Sequence, residues 1–150
     1  MSHLNIPAVL DISSSATINA NANPQTLILP DVNQKQNCDY DPLTGIITFQ
    51  QNGNYRFDVQ FLATSLLAGR LNFHAELDPG TGTFAAIPKS VRTLNVTGLS
   101  INLVAFGVSA YFRQGQRIRG MLYGTTFTLA SNTPANAPTE CPAARITMSN

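Results

Sequence analysis

His74 and Glu76 are the side chains whose types and spacing come closest to acid–base or metal chemistry. They stand two residues apart in the alternating run 71–78, so both point to one face of a predicted strand, roughly 6–7 Å apart. A transition-metal site on such a strand needs a further histidine two residues along and a distant third ligand. The only other histidine is His3, in the N-terminal segment. We therefore predict no metal site and no cofactor, and we place His74 on a face turned to solvent or to another subunit.

Nucleophilic catalysis and phosphate binding lack recognisable motifs in this sequence. It contains no Gly-x-Ser-x-Gly elbow and no Gly-rich phosphate loop. His74 is the sole credible base, so a Ser/His/Asp or Cys/His arrangement is not expected. Asp39 and Asp41 carry oxygens suited to calcium, but the Gly and Glu spacing of a calcium loop is absent, and Asp41-Pro42 with Gly45 predicts a turn. We predict that the protein is not an enzyme and assign no catalytic, cofactor-binding or metal residue.

The two cysteines, Cys38 and Cys141, lie far apart in the sequence. One pair cannot complete a four-ligand zinc site, and no Cys-x-x-Cys is present. A disulfide stays open as an alternative if the two ends of the chain lie side by side. Two unpaired thiols are favoured, because no export signal precedes them.

Three arginines, Arg113, Arg117 and Arg119, lie close together among aromatic residues. Nucleic-acid binding would require more basic residues and a positive net charge, whereas the formal net charge is only +1. A subunit interface or a solvated face is the favoured interpretation. Nucleic acid is therefore not predicted as a partner.

The composition is that of a folded domain with an unusually weakly charged surface. Of 150 residues, 43% are hydrophobic and only 11% are charged, about half the charged share of an ordinary soluble domain. No apolar run approaches the roughly 18 residues of a membrane span, and the N-terminus lacks the features of a signal peptide. We expect no membrane insertion. We expect the protein to be synthesised in a host cytoplasm.

Period-2 alternation dominates the chain and predicts β-strands. In the run 55–63 the odd-numbered residues are apolar, and Gly53 before it permits the positive φ of a tight reversal. The run 101–112 is apolar on both faces, which predicts a central strand covered on both sides. We also expect a short strand over 26–30 and a loop over 31–45. No window has a period near 3.6, so we predict an all-β sandwich or barrel of eight to ten antiparallel strands.

Two blocks of sequence resemble a known superfamily. The first is YDPLTGIITF at 40–49 followed by GNYRF at 53–57, and the second is VSAYFRQGQRI at 108–118. Together they resemble the signature of the complement-head/tumour necrosis factor (TNF-like) jelly-roll superfamily, with Gln116 where an aspartate is usual. The order and separation of the two blocks also fit.

The resemblance implies a jelly-roll sandwich that forms a homotrimer, with aromatic side chains lining the threefold axis. It makes five aromatic residues candidates for the protomer core or the trimer interface: Tyr55, Phe57, Tyr111, Phe112 and Tyr123. The residues alone do not sort them between the two roles.

The leading hypothesis is a virion structural protein of bacteriophage or other microbial origin: a trimeric fibre, spike or capsid decoration for assembly or host attachment. It rests on association, through low lysine content, richness in Asn and Thr, and the missing signal peptide. Residues 1–25 would be an arm or first strand and 26–150 the jelly-roll domain. Expected partners are the chain itself, other virion proteins and a host-surface glycan, with contact loops at 78–90 and 131–142. The alternative is a carbohydrate-binding lectin or adhesion module of the same fold.

Overall fold

The computed structural model describes residues 6–133 and 135–150, and His3 lies outside that part of the chain. The described residues form fourteen strands and no helix, hence no helix that could span a membrane. Ten of the strands have four or more residues, in agreement with the predicted eight to ten. The strands are β1 Val9–Ser14, β2 Ile18–Ala20, β3 Gln25–Thr26, β4 Asp31–Gln36, β5 Cys38–Asp41, β6 Ile46–Phe49, β7 Gly53–Thr64, β8 Gly69–Asp78, β9 Ala85–Ala86, β10 Arg92–Val96, β11 Asn102–Phe112, β12 Arg117–Gly124, β13 Phe127–Leu129 and β14 Ala144–Ser149.

The strands form two antiparallel sheets that enclose one core. Sheet A has the order β2-β13-β7-β14-β1-β4, with β11 on the other side of β7. Sheet B has the order β10-β8-β12-β6-β5, with β3 beside β12 and β9 beside β8. Alternate residues of the long strands point between the sheets, which is why a strict two-residue period marks the core.

Two expectations about the first third of the chain were wrong. Residues 31–45 are not a loop, because they contain β4 and β5. Asn37, at a φ of 55°, lies between these strands and takes the chain from sheet A to sheet B. The strand predicted over 26–30 is limited to β3, after which Leu27 donates a backbone hydrogen bond to Gly120. β4 is exposed along its whole length and lacks the alternation from which strands were inferred, and β5 is too short to show more than two alternate buried residues.

Aromatic side chains fill the core at one end of the sandwich. Phe49 stacks on Phe112 with ring centroids 4.3 Å apart. Tyr55 lies 4.6 Å from Phe49, and Phe57 meets Phe112 edge-on at 6.1 Å. Offset and edge-on contacts of this kind add stability beyond the burial of area.

The segment 40–49 has a clear structural reason for its sequence. The buried Tyr40 hydroxyl donates to the Leu29 carbonyl at 2.7 Å and accepts from the Leu29 amide at 3.1 Å. The Asp41 carboxylate accepts a hydrogen bond from the Leu43 amide and so shapes the turn. Gly45 has a φ of +74°, and a β-carbon there would lie 2.5 Å from the Leu27 carbonyl oxygen. Only glycine fits that position.

The two sequence blocks of the resemblance meet in space. Phe49 donates its backbone N–H to the Gln116 carbonyl and accepts a hydrogen bond from the Gly115 amide. The turn that begins β12 is thus docked on the end of β6, below the stacked Phe49 and Phe112 rings. Gly53 does not supply the positive φ expected of it; it is the first residue of β7 instead.

β11 is an edge strand and not the central strand predicted from its apolar residues. It pairs with β7 over eleven consecutive positions, and no other strand of the described chain pairs with it. Its inward face packs into the core through Val104, Val108 and Phe112. Its outward face is apolar but uncovered, because an apolar residue pattern does not distinguish a face covered within the chain from one left exposed.

Candidate self-association surface

The five aromatic candidates lie in three different places. Tyr55, Phe57 and Phe112 are buried in the core between the sheets. Tyr111, which follows the inward-facing Ala110 on β11, has 55% of its surface exposed on the outer face of sheet A. Tyr123 is half-buried on the outer face of sheet B. Alternation along β11 separates Tyr111 from its neighbour Phe112, since successive side chains point to opposite faces.

The outward face of β11 combines apolar and very small side chains. Leu103, with 63% of its surface exposed, and Tyr111 stand near its two ends. Between them lie Ala105, Gly107 and Ser109, all exposed. The centre of the strand therefore allows another polypeptide to approach closely, while its ends offer apolar contacts.

The edge of β11 lacks the features by which edge strands avoid pairing with other chains. No charged residue occurs in 93–112, and the register with β7 has no bulge. One edge carbonyl is covered: Arg92 donates its Nη2 hydrogen bond to the Gly107 oxygen at 3.2 Å. Apart from this one guanidinium, the edge is long, regular and uncharged, and such an edge is a template for association.

β4, at the opposite edge of sheet A, has features that prevent pairing with other chains. β4 has six residues, all exposed, and includes Asp31 and Lys35. Its register with β1 shifts between Asp11 and Ile12, as in a β-bulge. Short length, charge and bulges are common ways of blocking an edge. Sheet A thus has one blocked edge and one open edge.

A shallow depression of about 470 Å³ lies beside β11 on the outer face of sheet A. Ala105 and Gly107 of β11 form one side, and the charged residues Arg56, Asp58 and Arg145 are part of the remaining lining. Arg56 pairs with Asp58 at 3.2 Å. Arg145 donates two hydrogen bonds to the Asp11 carboxylate, at 2.7 and 3.0 Å, and this hydrogen bonding raises the pKa of the Arg145 guanidinium. The concavity therefore joins an uncharged wall to a wall of paired charges.

Comparison with known proteins identifies the fold. Neither a family model nor a curated protein sequence matches the chain. Among solved structures it is similar to murine APRIL, with a TM-score of 0.62 and 8% identity over 97% of this chain and 99% of that one. It is also similar to the globular domain of zebrafish complement 1qA protein, with a TM-score of 0.60 and 13% identity over 94% of both chains. Eiger TNF from S. frugiperda gives a TM-score of 0.61 and 10% identity, over 97% of this chain and 91% of that one.

The chain has a TNF-like jelly-roll fold. At such low identities the likeness concerns the fold alone, and the function of this jelly roll has to be argued from its own surfaces. The all-β sandwich predicted from the alternation is confirmed.

His74 and Glu76 lie on the outer face of sheet B and contact each other. His74 Nε2 lies 3.2 Å from the Glu76 carboxylate, and His74 Nδ1 lies 3.1 Å from the Tyr123 hydroxyl. Arg119 donates to Glu76 from the neighbouring strand at 2.9 Å. Burial raises the pKa of Glu76, but hydrogen bonds and charge from Arg119 and His74 outweigh it, and the pKa is lowered. Both nitrogens of the ring are thus engaged within the protein.

Asp78 organises the loop that follows β8. One carboxylate oxygen accepts hydrogen bonds from the amides of Gly80, Thr81 and Gly82, and the other accepts two from Arg117. These hydrogen bonds, above all those from Arg117, lower the pKa of Asp78 to about 2. The Asp78 side chain is buried.

The loop then places Phe84 beneath two guanidinium groups. Its ring centroid lies 4.2 Å from the Arg119 carbon Cζ and 5.2 Å from that of Arg117. Arg117 and Arg119 do share a strand face, and each pairs with a carboxylate on β8. These pairs show why the arginine cluster adds little free positive charge.

The two cysteines do not form a disulfide. Both thiols are free, and Cys38 is buried while Cys141 is half-buried. Burial raises the pKa of the Cys38 thiol. The loop 131–142 contains Cys141, which exchanges backbone hydrogen bonds with Asn132.

The residues that sequence reasoning missed are those of the open edge, Leu103, Ala105 and Gly107. A signal for them was present, because 101–105 is apolar on the side facing away from the core. That apolar pattern predicted a central strand with both faces covered by other parts of the same chain. The absence of charge over 93–112 was the observation that favours an association surface instead.

Proposed function

We propose that this chain is a non-enzymatic jelly-roll module that acts as a closed homotrimer, joined through β11 and the adjoining outer face of sheet A. The observation that carries the proposal is the open, uncharged edge of β11 with its uncovered apolar face. A contact in which the β11 edge of one copy meets a different part of the outer face of the next joins unlike surfaces, and such a contact forms a ring when its rotation closes. The resemblance to the TNF-like superfamily supports a ring of three.

The shape of the surface supports the same contact. Leu103 and Tyr111 project from β11, whereas Gly107 lies beside the depression. A projecting side chain of one copy can therefore fill the depression of the next. Burying such a side chain contributes about 1.5–3 kcal/mol, and the small residues at the centre of β11 keep the two backbones close.

The proposed role of the trimer is rigid display on a virion, as a fibre, spike or capsid decoration. Support for the virion comes from composition, namely two lysines in 150 residues and a charged share of 11%. Three identical copies multiply a weak contact through avidity. The neighbouring genes test this part separately: capsid or tail genes alongside would support it, and flanking genes of unrelated metabolism would count against it.

Light scattering tests the oligomer directly. The full chain should have a mass near three times the 16.1 kDa of one chain. Leu103→Lys should give single chains, because it places a charge in the contact. Val32→Lys on β4 is the matched control, an exposed apolar residue on the blocked edge, and it should leave the trimer intact.

A second variant guards against a trivial loss of folding. A β-carbon at Gly107 would meet its nearest atom, Asp58 Oδ1, at 3.5 Å, an ordinary contact. Gly107→Phe should therefore fold and fill the depression, and it should also give single chains. A wild-type mass of 16.1 kDa, or a trimer that survives both variants, would overturn the proposal.

A second candidate function is glycan binding on the outer face of sheet B. The observation that favours it is the juxtaposition of Tyr123, His74 and the Phe84 ring with hydrogen-bonding groups. A glycan array with the purified protein tests it. Binding to a defined sugar that Tyr123→Ala removes would establish a lectin, and a blank array would leave display as the function.

A further inference from the structure

Two turns at one end of the sandwich present an unusually exposed aliphatic surface. We define the leucine tip as Leu66 and Leu67 in the β7–β8 turn, together with Leu99 and Ile101 before β11. The three leucines have 79–83% of their surface exposed, and Ile101 has 55%. Exposed apolar residues that stand singly need no explanation, but a contiguous group of them marks an interaction site.

The leucine tip is held rigidly. The Leu99 amide donates a hydrogen bond to the Ser65 carbonyl at 2.8 Å, which ties the two turns together. A β-carbon at Gly98 would lie 2.9 Å from the Ala68 nitrogen, so the two backbones touch there. Asn102 braces the second turn by bonding to both Thr97 backbone groups. The backbone of the two turns is therefore already ordered, so binding costs little further backbone entropy.

Leu99 is held in a conformation that leucine seldom adopts. Its φ is 61°, in the left-handed region that favours glycine and asparagine. The turn keeps an exposed aliphatic side chain at a position where a polar asparagine would be more favourable. This choice of residue indicates that the side chain itself is used.

The two turns that form the leucine tip contain no charged residue. Uncharged stretches run through 59–69 and 93–112, and both turns belong to them. A bilayer is disfavoured as the occupant, because the two turns carry neither the aromatic nor the basic residues that anchor proteins at membrane surfaces. A partner that recognises charge has nothing to pair with. The occupant should therefore be an aliphatic protein surface without charge. A second leucine tip has both properties.

The leucine tip also adjoins the proposed trimer contact. Ile101 of the tip directly precedes β11, two residues before Leu103 of the trimer contact. Three leucine tips would therefore lie side by side at one end of the trimer. A single tip of four side chains is smaller than the roughly 800 Å² per partner of a stable interface, but three together present a larger uncharged patch.

We infer that the leucine tips are an end-to-end docking surface for a second copy of the trimer, so that two trimers associate through their tips. This inference rests on the proposed function. A two-fold contact of this kind joins identical surfaces and needs no complementary charge. The virion role does not require two trimers to associate, so the doubling can be tested separately from that role.

Sedimentation velocity of the full chain over a range of concentrations tests the doubling. The wild type should pass reversibly from three chains to six as concentration rises. The test variant is Leu67→Ser with Leu99→Asn, and the asparagine suits the left-handed φ. The matched control is Leu43→Ser, which alters a leucine of 84% exposure in a different turn.

The double variant should remain a trimer, with the association constant for doubling at least about 100-fold lower, because each buried leucine contributes roughly tenfold or more. The control should double like the wild type. A wild type that never exceeds three chains, or a double variant that still doubles, would overturn the inference and leave the trimer proposal standing.

Two other results would overturn it in different ways. If the double variant gives single chains, the leucine tip belongs to the trimer contact itself. If the wild type does not double but co-sediments with neutral phosphatidylcholine vesicles, and the double variant does not, the occupant is lipid. A wild type of single chains at every concentration would overturn both the trimer proposal and this inference.

Discussion

The two edges of sheet A differ in every property that governs strand association. β4 is short, charged and bulged, whereas β11 is long, uncharged and regular. Neither β4 nor β11 pairs with a further strand of the described chain on its free side, so the difference does not come from pairing within the protomer. It shows that this jelly roll prevents pairing at one edge and permits it at the other, as expected of a protein that associates in one direction.

The largest effect on stability is expected from substitutions at Phe112 and Tyr111, which are neighbours in sequence and lie on opposite faces of β11. Phe112→Ala should destabilise the protomer by about 3–5 kcal/mol, because it leaves a cavity beside Phe49. Tyr111→Ala should change protomer stability by less than about 0.5 kcal/mol and weaken self-association instead. Urea unfolding in the Leu103→Lys background and light scattering of the single variants separate the two. Equal losses of stability would contradict the division of roles.

Acid should affect the protomer before it affects the open edge. Arg117 lowers the pKa of Asp78 from 3.8 to about 2, so ionised Asp78 favours the folded state. That contribution is fully present above pH 3.8 and is lost as the pH falls through about 2. Glu76, with its pKa also lowered, acts in the same direction.

Urea unfolding between pH 5 and pH 2, roughly the range in which carboxylates titrate, would measure this loss. Asp78→Asn should flatten the pH dependence, whereas Arg117→Gln should destabilise the protein near neutral pH. Because no residue of 93–112 titrates in this range, the β11 contact should persist for as long as the protomer stays folded. Dissociation of folded protomers in acid would indicate that the paired charges near Gly107 carry the contact.

Removing the block at β4 should create a new, disordered association. Lys35→Val adds a β-branched apolar residue to the edge, and Lys35→Gln is the control that removes only the charge. Cross-strand pairs contribute roughly 0.2–1 kcal/mol each, so higher-order species should appear at a severalfold lower concentration in the valine variant. Light scattering detects them. Identical behaviour of the two variants would show that charge alone blocks β4.

The smallest effect is expected on the inward face of β11. Val108 lines an internal apolar cavity of about 40 Å³ between the sheets. Val108→Ile should stabilise the protomer by at most about 0.8 kcal/mol, the value of one buried methylene, without changing the oligomer. Urea unfolding detects the gain, and Val32→Ile on β4 serves as the control. A loss of stability would mean that the cavity is too narrow to accept the methyl group.

Much of the fold was predictable because its signals are local. The alternation around Tyr55 and Phe57 indicated the inward face of β7 correctly, and the turn chemistry of Asp41 and Gly45 matches the structure. β4 escaped prediction because a polar edge strand has no apolar period, and β5 because its two buried residues, Cys38 and Tyr40, are too few to establish one. The ion pairs of Arg117 and Arg119 escaped too, since they depend on the pairing of β12 with β8 across about 40 residues of chain.

By itself the sequence determined which residues share a strand face, where the chain turns, and that 93–112 carries no charge. These properties follow from the two-residue period of a strand and from the restricted backbone of single residues such as Gly45. Only the tertiary structure decided what lies against each face. It placed Phe112 in the core and Tyr111 in the open, and it left β11 at an edge, because strand order depends on pairings between distant parts of the chain that no local pattern records.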